Sequence, residues 1–348
     1  MRSDDRRSRR GGRRSASAPW TLLAVGLALA LIPWPEPWVE RWFARGLFPA
    51  VSHLLAPWVG AVPWSVTGTV ALALLLTILG ALPSRAGRRF VGRHLLPWTA
   101  ALLVLGFMLV WGLAYRRAPL ATLIGVPAAA PTSAEVVTAQ ARLLAVLTRS
   151  AGSAPPGPAD VVAAGRCVAS EVRRLTGSSV AVGRRVKALP PGTLLGLGFA
   201  GVTSPWLLEP HVDAGLPPVE RLATATHELT HSAGFAREAD TDALAVLAGL
   251  RCDDPAVRYA LALHGLDLLL VSLPDGARQE LVDSLPRRAL QDLRAASAAS
   301  ARYRVPWLQR AATATYGTYL KSRGVQAGMA DYGRATTLVV QALARGIL

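Results

Sequence analysis

Residues 227–242 read HELTHSAGFAREADTD, and their first five letters are an HExxH motif. On a helix, residues four apart lie one turn apart on one face, so His227 and His231 can share a cation while Glu228 points at its bound water. The stretch therefore predicts two helices joined by a sharp turn. Pro217 and Pro218 suit the start of the first helix, and Leu222, Ala225 and Leu229 give it a packed side. Gly234 supplies a left-handed stop shortly after the second histidine. A second helix, from about Ala236 to Leu250, then places Glu238 and Asp242 on one face returning toward the imidazoles.

A catalytic Zn²⁺ takes three protein ligands and keeps one position open, which makes His227, His231 and Glu238 the expected ligands of a single zinc. Such an ion brings the pKa of bound water to about 7 and polarises a substrate carbonyl. Glu228 is then the expected catalytic base and acid. Asp242 is expected behind the ligands, accepting the free ring N–H of a ligating histidine. Asp240 competes for either acidic role but falls on another face of an ideal helix, and the three acids also suit a solvated helix start. A tetrahedral intermediate wants a further donor, for which Tyr316, Tyr319, Tyr332 and His211 are available. Each signal is individually weak, since a tyrosine in a helical C-terminal region is more often a core residue with a satisfied hydroxyl. His264, inside RYALALHGLDLLL, reads as a packed helix histidine, and His53 and His94 fall in the membrane part.

At 348 residues, 51% hydrophobic and a mean hydropathy of +0.32, the chain is too apolar for an ordinary soluble protein of two domains. Three apolar stretches explain this: Pro19 to Ile32, Ser65 to Leu82 and Leu95 to Ala114. The last two are long enough to cross a bilayer. The first reaches that length by continuing toward Trp38, with Trp34 and Trp38 as interfacial residues, and it also resembles a secretory signal.

The net charge of +16 is topological, which argues against a nucleic-acid partner. Seven Arg precede Pro19, and Arg85, Arg88, Arg89 and Arg93 lie between the second and third stretches. The loop between the first two carries only Arg41 and Arg45, offset by Glu36 and Glu40. The positive-inside rule then gives a basic cytoplasmic tail over 1–18, a membrane domain with about three transmembrane helices over 19–117, and an extracytoplasmic domain over 118–348.

In that outer part, helices are expected from Ala134 to Arg149 and on to about Leu175, with strands between Ser178 and Leu208 and helices beyond Pro218. The fold class is mainly α, an α+β plan with a small sheet. Cys167 and Cys252 both lie there, as a disulfide or as two buried thiols. The segment GVTSPWLLEPHV, residues 201–212, reads either as a structural loop or as an edge strand that pairs with an extended peptide.

Four blocks in order resemble an uncharacterised bacterial family of membrane proteins, the domain of unknown function 3810 family. They are WGLAYRRAPL at 111–120, GVTSPWLLEPHV at 201–212, HELTHSAGFARE at 227–238 and YLKSRGVQAGMADY at 319–332. The resemblance implies a membrane-bound zincin-like domain and brings no substrate. Ala114 stands where members usually carry Asn, and Ala239, Asp240, Thr241 and Asp242 depart from the acidic-acidic-Ala-Asn run that usually follows the Glu. Glu238 also resembles the third ligand of zinc peptidases whose Glu opens an ExxxD motif. The expectation is a membrane-anchored zinc metallopeptidase-like hydrolase acting on a peptide or protein outside the cytoplasm. Its rivals are a non-catalytic metal-binding envelope protein and a helical membrane scaffold with a fortuitous motif.

Overall fold

The computed structural model describes residues 5–127, 129–322 and 332–347, with side chains described over 17–127, 129–315 and 333–347. Four helices precede Arg117: α1 (Asp5–Leu31), α2 (Glu36–Ala61), α3 (Val66–Ala81) and α4 (Arg85–Val110). After a 3₁₀ turn at Gly112–Arg116 come α5 (Leu120–Ile124), α6 (Ser133–Ser150) and α7 (Pro158–Thr176). Strands β1 (Lys187–Leu189), β2 (Gly201–Ser204) and β3 (Glu209–Asp213) follow. The remainder is helical: α8 (Pro218–Ser232), α9 (Glu238–Leu250), α10 (Pro255–Ser272), α11 (Asp275–Ser284), α12 (Arg287–Tyr303), α13 (Pro306–Ser322) and α14 (Tyr332–Ala344). The mainly helical plan with a small sheet is as expected.

Helix α9 is buried from Ala239 to Leu250 and is apolar all round beyond its first turn, which marks it as the central helix of the core. Helices α6, α7, α8, α10 and α14 pack around it or its neighbours. A disulfide joins Cys167 on α7 to Cys252 just past α9, with Cα atoms 5.5 Å apart. The sheet has the order β1-β3-β2, β3 pairing parallel with β1 and antiparallel with β2. Two strands fall inside the expected 178–208 region and β3 begins just beyond it. The rest of that region is turns, where Pro190, Pro191 and the left-handed Gly192 and Gly198 interrupt pairing.

The N-terminal part differs from expectation. Among the described residues, only Arg85–Val110 is by itself long and apolar enough to span a bilayer. Glu36–Ala61 and Val66–Ala81 pass that test only as a pair, bent by 81°. The first expected stretch is the shorter apolar helix Ser17–Leu31 within α1. Residues 36–61, read as a loop between spans, are helical: Pro37 sits at a tolerated early position, and a π-helical stretch at Val39–Leu47 turns Val39, Phe43, Ala44 and Phe48 inward. Those side chains join Phe107, Trp111 and the residues of α8 to α10 in one core, so packing is continuous across Arg117.

Helices α1 and α4 cross closely: a Cβ on Gly26 would fall 2.9 Å from Leu105 N. Their C-terminal ends, at Leu29 and Ala30 and at Phe107 and Met108, both reach the core. The start of α3 is gripped by β3. The Glu209 carboxylate accepts from Val66 N at 2.8 Å, Thr67 N at 2.8 Å and Thr67 Oγ1 at 2.7 Å. From there α3 buries no residue and projects away from the domain, and α4 returns to it from the end carrying Arg85, Arg88, Arg89 and Arg93.

Candidate metal centre

Two helices and the turn between them build the site. Helix α8 carries His227, Glu228 and His231, and Gly234, at φ +94°, reverses the chain so that α9 opens with Glu238. A side chain at Gly234 would strike Phe48 of α2, its Cβ 2.7 Å from Cε1. The turn is locked from the N-terminal side. Arg117 donates to Gly234 O at 2.9 Å and pairs through Nε with Glu40 Oε1 at 3.1 Å, and Glu40 also accepts from Ala118 N at 3.0 Å. Arg237 donates to Arg117 O at 3.0 Å and to Asp240 at 2.7 Å.

The three expected ligands converge. His227 Nε2 and His231 Nε2 are 3.1 Å apart, and Glu238 Oε2 lies 3.3 Å from the first and 3.4 Å from the second. A tetrahedral zinc with bonds of about 2.0 to 2.2 Å keeps its ligand atoms about 3.3 to 3.6 Å apart, close to this spacing. The other ring nitrogens are committed: His227 Nδ1 donates to Asp242 Oδ1 at 2.7 Å and His231 Nδ1 to Phe235 O at 2.7 Å. In neutral rings that leaves both Nε2 lone pairs turned toward a carboxylate, an arrangement a cation relieves. These three residues could hold a metal ion.

Electrostatics follow from burial and mutual contact. Burial works to lower the pKa of His227, but Asp242 and then Glu238 outweigh it and hold the imidazole well above its ordinary value. Burial would likewise raise Glu238, yet His231 and His227 hold it well below the carboxylate range. Asp242 is buried and stays ionised because His227 and His264 both donate to it, the latter at 3.2 Å. Burial pushes the Glu228 carboxyl up. Its Oε2 accepts the Thr203 hydroxyl at 2.7 Å, and the same hydroxyl lies 2.9 Å from the Glu228 carbonyl.

Strand β2 runs beside Glu228. A Cβ at Gly201 would sit 2.6 Å from Glu228 Oε1. The Asp213 amide donates to Ala200 O, which sets the phase of the antiparallel ladder: Val202 pairs with His211, while Gly201 and Thr203 direct their N–H and C=O away from β3. That outer edge borders a cleft of about 800 Å³ which takes in His227, Glu228, His231 and Glu238. The segment read as loop or edge strand is thus an edge strand, followed by a turn at 205–208 and by β3.

Other expected residues are placed differently. Asp242 stands behind His227 as anticipated, whereas Asp240 is engaged by Arg237, away from the ligands. His211 does not line the cleft. Its Nε2 lies 2.8 Å from Ser65 Oγ and its Nδ1 3.3 Å from Val202 O, which ties it to the base of α3. The side chains of Tyr316, Tyr319 and Tyr332 lie outside the described residues. His264, read as packing, is a cleft residue that shares Asp242 with His227. Thr203, Glu40 and Arg117 carry no local sequence signal for their roles, since their partners are distant in the chain.

No curated protein and no solved structure matches this chain. Residues 43–340 match the family described as Protein of unknown function (DUF3810), and the chain belongs to that family.

Proposed function

We propose that the protein is a membrane-anchored zinc metallopeptidase whose ligands are His227, His231 and Glu238. The observation that carries this reading is the approach of His227 Nε2, His231 Nε2 and Glu238 Oε2 to within 3.1–3.4 Å of one another, with both Nδ1 atoms engaged elsewhere. A zinc held there supplies an activated water and polarises the carbonyl to be attacked. Glu228 takes the proton as water oxygen adds to the carbonyl carbon, and returns it to the amine nitrogen as the C–N bond breaks. Its raised pKa suits an acid-base residue, and Thr203 fixes the carboxylate. The free edge of β2 offers backbone groups to an extended peptide laid across the cleft.

Membrane anchoring is supported by the arrangement of α1, α3 and α4. The start of α3 and the C-terminal ends of α1 and α4 meet the domain, and the arginines of 85–93 lie at the opposite end of α3 and α4. The positive-inside rule then supports a metal centre outside the cytoplasm, and the Cys167–Cys252 bridge suits that compartment.

The test is zinc content and hydrolysis of a peptide library by detergent-purified protein. About one zinc per chain is expected, retained in Glu228→Gln with hydrolysis abolished, and lost in His227→Ala. A zinc-free wild type overturns the reading. Zinc without hydrolysis assigns the centre to a structural or sensory role instead.

A further inference from the structure

The cleft over the metal ligands runs into the apolar surface of α4. Phe107 and Trp111 form one wall, Val202 and Trp206 a second, and Leu268 and Val271 of α10 a third. Trp206 Nε1 donates to Leu103 O at 2.8 Å, and its ring lies 6.2 Å from that of Phe107, so the β2–β3 turn is fastened directly to the longest apolar helix. That turn is bent by Leu208, which takes a left-handed φ of 51°.

These walls are not closed off. Val271 is 75% exposed, Val202 45% and Trp206 37%, and Leu102, Leu103 and Leu109 of α4 are exposed as well. An apolar strip that starts on a membrane helix and ends over a hydrolytic centre fits a ligand that is itself part apolar and bilayer-bound. The cleft is also lined by the carboxylates of Glu220, Asp267, Glu228 and Glu238. Carboxylates repel an anionic phosphate headgroup, whereas a peptide meets the unpaired N–H and C=O groups of β2.

We propose that the substrate is a membrane-anchored polypeptide, cut where it leaves the outer face of the bilayer, with its anchor-proximal apolar residues lying along α4, Trp206 and Val271. This rests on the metallopeptidase reading for the cut itself. The two are separable, because seating of the substrate is measured without turnover.

Full-length, zinc-loaded Glu228→Gln protein is co-reconstituted in phosphatidylcholine vesicles with an Ala-rich peptide that continues into a Leu-rich transmembrane anchor. A photo-crosslinker sits at the junction, and the same peptide without the anchor is the control. Crosslinks are expected within residues 202–206 and 268–272, at least about tenfold above the control. Adding Val271→Asp, an exposed position whose change leaves the fold intact, should lower them by about tenfold, the factor carried by one lost apolar contact surface. Crosslinks scattered over the outside of the helices, or insensitive to Val271→Asp, overturn the proposal. So does full competition by diacylglycerol, which would assign the strip to lipid. Localised crosslinks with no cleavage by the wild type leave the seating intact and overturn the peptidase. Cleavage of the soluble peptide with no gain from the anchor does the reverse.

Discussion

Gly201 on β2 and Glu228 on α8 touch so closely that any side chain at the first position displaces the second: an added Cβ would be 2.6 Å from Oε1 and 2.8 Å from Cγ. Glycine is required there by the approach of the strand to the Glu228 carboxylate. Gly201→Ala is expected to leave zinc bound, since no ligand moves, and to lower peptide turnover by about a hundredfold, the effect of a displacement near 1 Å at a reacting group. Zinc analysis and turnover on the same preparation check this. Normal turnover would show that Glu228 is not held by β2 in the working enzyme.

The group that could hold a metal was legible because its geometry is local. A four-residue spacing, a glycine stop and an ExxxD run on the next helix suffice to place His227, His231, Glu238 and Asp242. What supports them was hidden. Thr203 is 25 residues from Glu228 and Glu40 is 77 from Arg117, and no periodicity links such pairs. His264 was hidden for a related reason: one face of α10, from His264 to Ser272, lines the cleft while the other packs, and an apolar run does not reveal which residues have that view. Helix α2 was missed because charge and proline content suggest a loop, whereas a π-helical stretch redirects its apolar residues into the core.

Asp242 is expected to set metal affinity through His227. Its carboxylate accepts from His227 Nδ1 at 2.7 Å and from His264 Nε2 at 3.2 Å, which fixes the tautomer that leaves the His227 Nε2 lone pair facing His231 and Glu238. Asp242→Asn should weaken zinc binding by about ten- to a hundredfold in a chelator competition. His264→Ala should weaken it less, because the shorter bond remains. Equal effects would mean that His264 itself contributes to holding the metal.

The ion pair between Glu40 and Arg117 joins α2 to the turn between the ligand helices. Both side chains are buried, so Glu40→Gln leaves the Arg117 guanidinium without its counter-charge. The expected cost is about 3 to 5 kcal/mol of stability, read by urea unfolding in detergent. Glu40→Gln with Arg117→Met should recover part of it, since replacing a buried pair with apolar groups costs far less than breaking one. A loss in Glu40→Gln below about 1 kcal/mol, the value of an exposed pair, would indicate that water reaches the site.

Asp213 ties the loop before β2 to the end of β3 and gives the fold an acid-sensitive joint. Its carboxylate accepts from Gly192, Leu194, Leu195 and Gly215 amides at 2.8–3.1 Å, pinning the loop that leads into β2. Burial would raise its pKa, but these four N–H donors together outweigh that and hold it below the ordinary value. A depressed folded pKa means that the ionised form stabilises the native state above the unfolded value of about 3.9, and that this stabilisation is lost as pH falls through the folded value. Asp213→Asn removes the charge and turns part of the side chain into a donor facing donors. It should cost roughly 2 to 3 kcal/mol at neutral pH, from hydrogen bonds to a charged group. The gap between the two proteins should hold from pH 7 to about 5 and narrow below about 4. Thermal unfolding of both across that range decides it: a gap independent of pH would mean that the loop is held by shape, and that the charge on Asp213 contributes nothing.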